Sequence, residues 1–291
     1  MFLTQDSNKY TNQLEILDDK IIFNDLFNEP IINYINILHL NKTIVFGKSF
    51  NQNLSLLPNN VEKIYLGKSF QKSIIDIPIS VKSIIFANDS NFCYSIDYLH
   101  NDVHEIILGD NYNVPINKLP LGLKILILGK FFSNKIYEFP PNLLYLDIGE
   151  SYENSLNNLP NSLETLIIGG EFNNFINFPT YLKHFIISKY SEYNKELVNL
   201  PKCLTYLSIQ NNYNLPILHL PDSILSLSLG DNYNGNIINF PKQIQKIIFS
   251  ENFSYDFKIL PDLLEQIELN KNYKYIDLLF YKFPKIKIIV K

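Results

Sequence analysis

LPNSLETLIIGGEFNNFI, residues 159–176, and LPDSILSLSLGDNYNGNI, residues 220–237, share no long identical run, yet they place the same kinds of residue at the same positions. The same phrase recurs along the whole 291-residue chain. An aromatic residue precedes an Asn-rich turn at Phe27, Phe50, Phe70, Phe92, Tyr112, Phe132, Tyr152, Phe172, Tyr193, Tyr213, Tyr233, Phe253 and Tyr273. Nine of those twelve intervals are 20 residues, and the others are 21, 22 and 23. A row of prolines, from Pro58 and Pro78 through Pro120 to Pro261 and Pro284, follows Ile, Leu or Phe each time, with His100 in the proline's place once. Two markers in one register identify a stacked-repeat architecture.

Counted from the proline, apolar residues stand at +3, +6 and +8, as in Leu163, Leu166 and Ile168 or Ile224, Leu227 and Leu229. The alternation at +6 and +8 is the period of a strand. Each unit also holds a Pro and usually a Gly, which leaves little room for a helix. Ile-rich segments and a single alanine, Ala87, point the same way. The spacing predicts a mainly β, leucine-rich-repeat-like solenoid of about 13–14 turns of ~20 residues with one parallel strand per turn. Residues 1–13 form a short N-terminal segment, and residues 14–291 form the repeats. Pro fixes φ where the chain returns to the strand, and Gly at +9 permits φ > 0 where it leaves. The aromatic fills the space a helix would take in a longer repeat. Asn after the aromatic, at Asn28, Asn51, Asn113, Asn173, Asn194, Asn214 and Asn234, is expected to satisfy turn backbone groups and to form a ladder between turns.

Three turns read FNEPI (27–31), YNVPI (112–116) and YNLPI (213–217). Together with the LP…L..L.(I/L)G half, the chain resembles the FNIP repeat, a family of social amoebae and giant amoeba viruses related to leucine-rich repeats. The resemblance implies a protein-binding scaffold. Many relatives also carry an N-terminal F-box, which would imply delivery of targets to a ubiquitin ligase. Here Lys20–Phe23 followed by FNEPI already reads as a repeat. A substrate-receptor role would therefore run through a separate F-box subunit.

Composition narrows the remaining classes. The net charge is −4 and arginine is absent, so no nucleic-acid partner is expected. Only Cys93 and Cys203 occur, too few for a disulfide framework or a structural zinc site. The N-terminus turns polar after three residues, and no apolar run is long enough to span a bilayer. These features predict an intracellular, cytoplasmic monomer with no membrane partner.

No catalytic residues, metal site or cofactor are expected. His39, His100, His104, His184 and His219 occupy different slots on different turns. GDNYN at 109–113 and 230–234 hints at calcium, but the slot of Asp110 and Asp231 holds Lys48, Lys68, Lys130 and Lys271 on other turns. The sequons at Asn41 and Asn252 are what so Asn-rich a chain makes by chance.

The +5 and +7 positions face away from the +6 and +8 core. In the middle turns these rows hold Ile125, Ile127, Tyr145, Asp147, Ile167, His184, Ile186 and Tyr206, and toward the ends they become polar or charged. One reading is a β-branched ladder that stabilises the sheet. The other is a protein-binding patch with a polar rim, in which Ile127, Tyr145, Ile167 and Tyr206 anchor a partner while Asp147 and His184 give specificity. A self-assembling structural role is a third possibility. Lys282, Lys285, Lys287 and Lys291 surround the last strand, and Glu15, Asp18 and Asp19 flank the first; charge at an edge discourages strand pairing.

Overall fold

The computed structural model describes residues 13–210, 213–230, 233, 237, 239–249 and 260–291. Asp231, Asn234, Phe253, the sequon at Asn252 and nearly all of the 1–13 segment lie outside the described residues. The chain divides into two compact units, residues 1–143 and 144–291.

The first unit contains β1 (Leu14–Leu17), β2 (Lys20–Phe23), β3 (Thr43–Val45), β4 (Lys63–Leu66), β5 (Ser83–Phe86), β6 (Glu105–Ile107) and β7 (Ile125–Ile127). From β2 onward each strand pairs parallel with the next, at equivalent residues of successive turns: Ile64 with Ile84, and Ile106 with Leu126. The first pair departs from the expected one-way stack. β1 and β2 form an antiparallel hairpin, turned by Asp18 and Asp19. Asp18 adopts φ 52°, a left-handed conformation that Asp tolerates. A second departure is helical. The 23-residue interval from Phe27 to Phe50 has room for a 3-10 turn at Ile31–Tyr34 and for α1 (Ile35–Leu38), which bury Ile31, Tyr34 and Leu38.

The second unit contains β8 (Tyr145–Asp147), β9 (Thr165–Ile168), β10 (His184–Ile187), β11 (Tyr206–Ile209), β12 (Ser226–Leu229), β13 (Lys246–Ile248), β14 (Gln266–Leu269) and β15 (Lys287–Val290). All are parallel and in register, as in Tyr145 with Thr165, His184 with Tyr206 and Ile186 with Ser208. A short helix, α2 (Ile276–Lys282), precedes β15 and buries Leu279.

In both units the core follows the strand period. Leu146, Leu166, Phe185, Leu207 and Leu227, all at +6, are fully buried, as are Ile64, Ile84, Ile106 and Leu126. Burying each of these side chains contributes about 1.5–3 kcal/mol relative to exposure. Behind the strands runs a column of rings. In the first unit Phe27, Phe50, Phe70, Phe92, Tyr112 and Phe132 stack with centroids 5.8–6.3 Å apart. In the second, Phe172, Tyr193 and Tyr213 stack at 6.2 and 6.5 Å. Hydrogen-bonded strands lie only about 4.8 Å apart. Equivalent points on successive turns are thus closer at the sheet than at the rings, so within each unit the sheet face curves inward.

The glycine slot at +9 works differently from the expectation. Among the described glycines only Gly149 (φ 69°) and Gly170 (φ 40°) have positive φ. At the other sites the requirement is space. A Cβ on Gly129 would lie 1.9 Å from the carbonyl oxygen of Gly109, and one on Gly67 would lie 2.3 Å from that of Gly47. At Gly67 and Gly129 the turns pass too close for a side chain, while on other turns the same slot admits Ala87, Ser188, Gln210 and Asn270.

The Asn ladder forms, with an asymmetric rung. Asn28 Oδ1 accepts the Asn51 backbone N–H at 2.8 Å, and Asn51 Oδ1 accepts that of Gln71 at 2.9 Å. Asn113 does the same for Ser133, and Asn173 for Asn194, each at 3.0 Å. Each amide thus reaches the main chain of the following turn.

Candidate functional site

The strand period places +5 and +7 side chains on one face. Ile125 and Ile127 lie on β7 in the first unit, in register with Glu105 and Ile107. Tyr145, Asp147, Ile167, His184, Ile186 and Tyr206 share one face of the second unit's sheet. His184 is exposed, whereas the other seven are half-buried. The isoleucines form ladders in which each neighbour covers part of the next. In the second unit one row runs Asp147, Ile167, Ile186 and Ser208, with Ser208 fully buried; the parallel row runs Tyr145, Thr165, His184 and Tyr206.

Polar contacts order this surface. Thr165 Oγ1 and His184 Nδ1 are 3.1 Å apart, and the His184 and Tyr206 rings meet edge to face at 6.1 Å. Burial raises the pKa of the Tyr145 hydroxyl, and the Asp147 charge adds to the effect. Burial also raises the pKa of the Asp147 carboxyl, opposed only by the hydrogen bond that Gly149 N–H donates to Oδ1 at 3.0 Å.

Three carboxylates occupy the +5 and +7 rows: Glu105, Asp147 and Glu268. In the first unit Glu105 Oε2 lies 3.0 Å from Lys63 Nζ and accepts the Ser83 hydroxyl. Lys63 Nζ also lies 5.4 Å from the Tyr65 ring centroid, a cation–π contact. In the second unit the buried Glu268 holds Lys246 Nζ at 2.5 Å and is also paired with Lys291. These two lysines hold its pKa at about 2. Asp147 has no cation of its own among the described residues.

The histidines do not converge. His100 Nε2 meets the Pro78 carbonyl at 3.2 Å, and burial depresses the ring's pKa. Among the described residues no group of three or more His, Cys, Asp or Glu could hold a metal, and Cys93 and Cys203 are exposed free thiols. No helix among them is long and apolar enough to cross a membrane.

One feature of the second unit escaped the sequence reading. Glu196–Leu200, Lys202, Pro216 and Leu218–Pro221 line a groove of about 510 Å³ away from the strands, with Val198 and Leu218 half-exposed. Its sequence signal is the interval from Pro179 to Pro201, two residues longer than the usual 20. That slack includes Asn199 at φ 57°.

Residues 50–89 match the model of the FNIP Repeat family. None of the curated proteins matches the chain. Among solved structures, the giant-virus protein CroV588, described as a novel circular LRR protein, is similar at TM-score 0.74 and 29% identity. The match covers 90% of this chain and 45% of CroV588, so this chain spans under half the length of that protein. YopM from Yersinia enterocolitica is 18% identical over 78% of this chain and 64% of its own, at TM-score 0.44.

Proposed function

We propose that this FNIP-repeat chain is a non-catalytic protein-interaction scaffold that binds a partner protein through the strand face bearing the +5 and +7 rows. The observation that carries this reading is the second unit's face, where Tyr145, Ile167, Ile186 and Tyr206 form a half-buried apolar strip beside the polar His184 and Asp147. Apolar and aromatic centres with polar surroundings are what protein interfaces use. The side chains sit on paired strands, so little conformational freedom is lost when a partner docks. Ile125 and Ile127 offer the same kind of surface on the first unit. The LRR-like architecture supports the reading, because stacked repeats bring the +5 and +7 side chains of successive turns together on one face within each unit.

The test is capture of partners from lysate by the wild-type chain and by Tyr145→Ala/Ile167→Ser, read by mass spectrometry. Both residues are half-buried and neither belongs to the fully buried +6 and +8 core, so the double variant is expected to fold. Loss of a partner from a folded double variant is the expected outcome. Equal recovery of the same partner by both chains would sink the reading.

A further inference from the structure

Asp147 stands out from the other two carboxylates on its rows. Glu105 and Glu268 have lysine partners supplied by other turns of their own units. Asp147 is half-buried on the same kind of surface, beside Ile167 and two residues from Tyr145, and its one hydrogen bond comes from the Gly149 backbone. A carboxylate removed from water without a counter-charge is costly, and a cation brought to it offsets that cost.

The first unit shows what the missing element looks like. There Lys63 closes a constellation of tyrosine ring, ammonium and carboxylate: Nζ is 5.4 Å from the Tyr65 centroid and 3.0 Å from Glu105 Oε2. Tyr145 and Asp147 project from one face of β8, about 7 Å apart along the strand by the two-residue repeat. Ring and carboxylate are present, and among the described residues no cation joins them. We infer that Tyr145 and Asp147 form a receiving site for a lysine or arginine side chain that the partner protein supplies. The inference rests on the scaffold reading and adds the chemistry of the partner's anchor. Ile167 and Ile186, next along the row, favour apolar residues beside that cation.

Asp147→Asn separates charge from shape. The Asn oxygen still accepts the Gly149 amide, and removing an uncompensated charge does not threaten the fold. The experiment titrates the ¹⁵N-labelled chain with the peptide acetyl-Leu-Lys-Leu-amide and with its norleucine counterpart, following the Tyr145, Gly149 and Ile167 amide resonances. The lysine peptide is expected to shift these signals, with affinity falling roughly tenfold in Asp147→Asn, since a hydrogen bond to a charged group is worth at least that much. The norleucine peptide should bind wild type and variant equally weakly. Two results would overturn the inference: no shift at Gly149 with the lysine peptide, or equal affinity for wild type and Asp147→Asn. The probe needs no cellular partner, so this failure is distinct from failure of the scaffold reading. If Tyr145→Ala/Ile167→Ser loses the captured partner while Asp147→Asn retains it fully, the scaffold stands and the cation site falls.

Discussion

Lys63 on β4 reaches past β5 to Glu105 on β6, bringing Nζ within 3.0 Å of Oε2. The contact ties three turns together, because the Ser83 hydroxyl on the intervening strand donates to the same oxygen. Lys63→Met would leave Glu105 with Ser83 alone and should cost about 1 kcal/mol in urea unfolding. Adding Glu105→Gln to that variant should recover most of the loss. A double variant no more stable than Lys63→Met alone would show that the lysine acts through its aliphatic stem instead.

The Asn ladder predicts an ordering of variants. Asn113 Oδ1 accepts the Ser133 backbone N–H at 3.0 Å and the Asn134 side-chain amide at 2.7 Å. Asn113→Ala removes both bonds and should lower stability by about 1 kcal/mol. Asn113→Asp keeps the acceptor oxygen and should lose less. Thermal unfolding of the three chains checks the order, and an alanine variant as stable as wild type would deny the ladder any energetic role.

At Gly129 the expectation is steric. A Cβ there would sit 1.9 Å from the Gly109 carbonyl oxygen, so Gly129→Ala must push two turns apart. Overpacking of this kind costs about 1–3 kcal/mol, and here the obstacle is backbone. Calorimetry of Gly129→Ala should show a lowered Tm. A gain in Tm, the usual effect of Gly→Ala at a compatible site, would contradict the close approach.

Two carboxylates set opposing trends with pH. Glu268, held at about 2 by Lys246 and Lys291 against an ordinary value of 4.5, stays ionised in the folded chain while the unfolded chain takes up its proton. Its contribution is complete above 4.5 and is lost as pH falls through about 2. Asp147 is shifted upward by burial, so its contribution is complete below its ordinary value of 3.8 and is lost as pH rises through its folded value. Urea midpoints measured from pH 2 to 7 should show Glu268→Gln flattening the acid limb. Asp147→Asn should raise stability at neutral pH, where the buried charge is otherwise present. A neutral-pH loss in Asp147→Asn would mean that the charge has a partner in the folded chain.

Much of this architecture was legible in sequence because the repeat imposes it. The proline and aromatic rows placed the strands, and the +6/+8 period identified the core from Ile64 to Ile267. The role of the glycines was hidden, because a close approach between turns depends on backbone paths that no single turn records. The hairpin of β1 and β2 was also hidden, since its residues fit a parallel strand's pattern equally well. On the sheet face, residue identities could be assigned to rows, but pairing could not. That Lys63 finds Glu105 across 42 residues, while among the described residues Asp147 finds only a backbone amide, depends on side-chain reach and not on period. The groove beside Asn199 falls where the period slips, which is where a repeat-based reading carries least information.

The asymmetric Asn rungs have a mechanical consequence. Each amide links one turn to the next, so the described ladder consists of joints between neighbours. Under a stretching force such a chain should release its turns one at a time instead of rupturing at once. A released turn of 20 residues lengthens the tether by roughly 70 Å. Force–extension traces would then show evenly spaced steps, their heights recording the strength of individual joints.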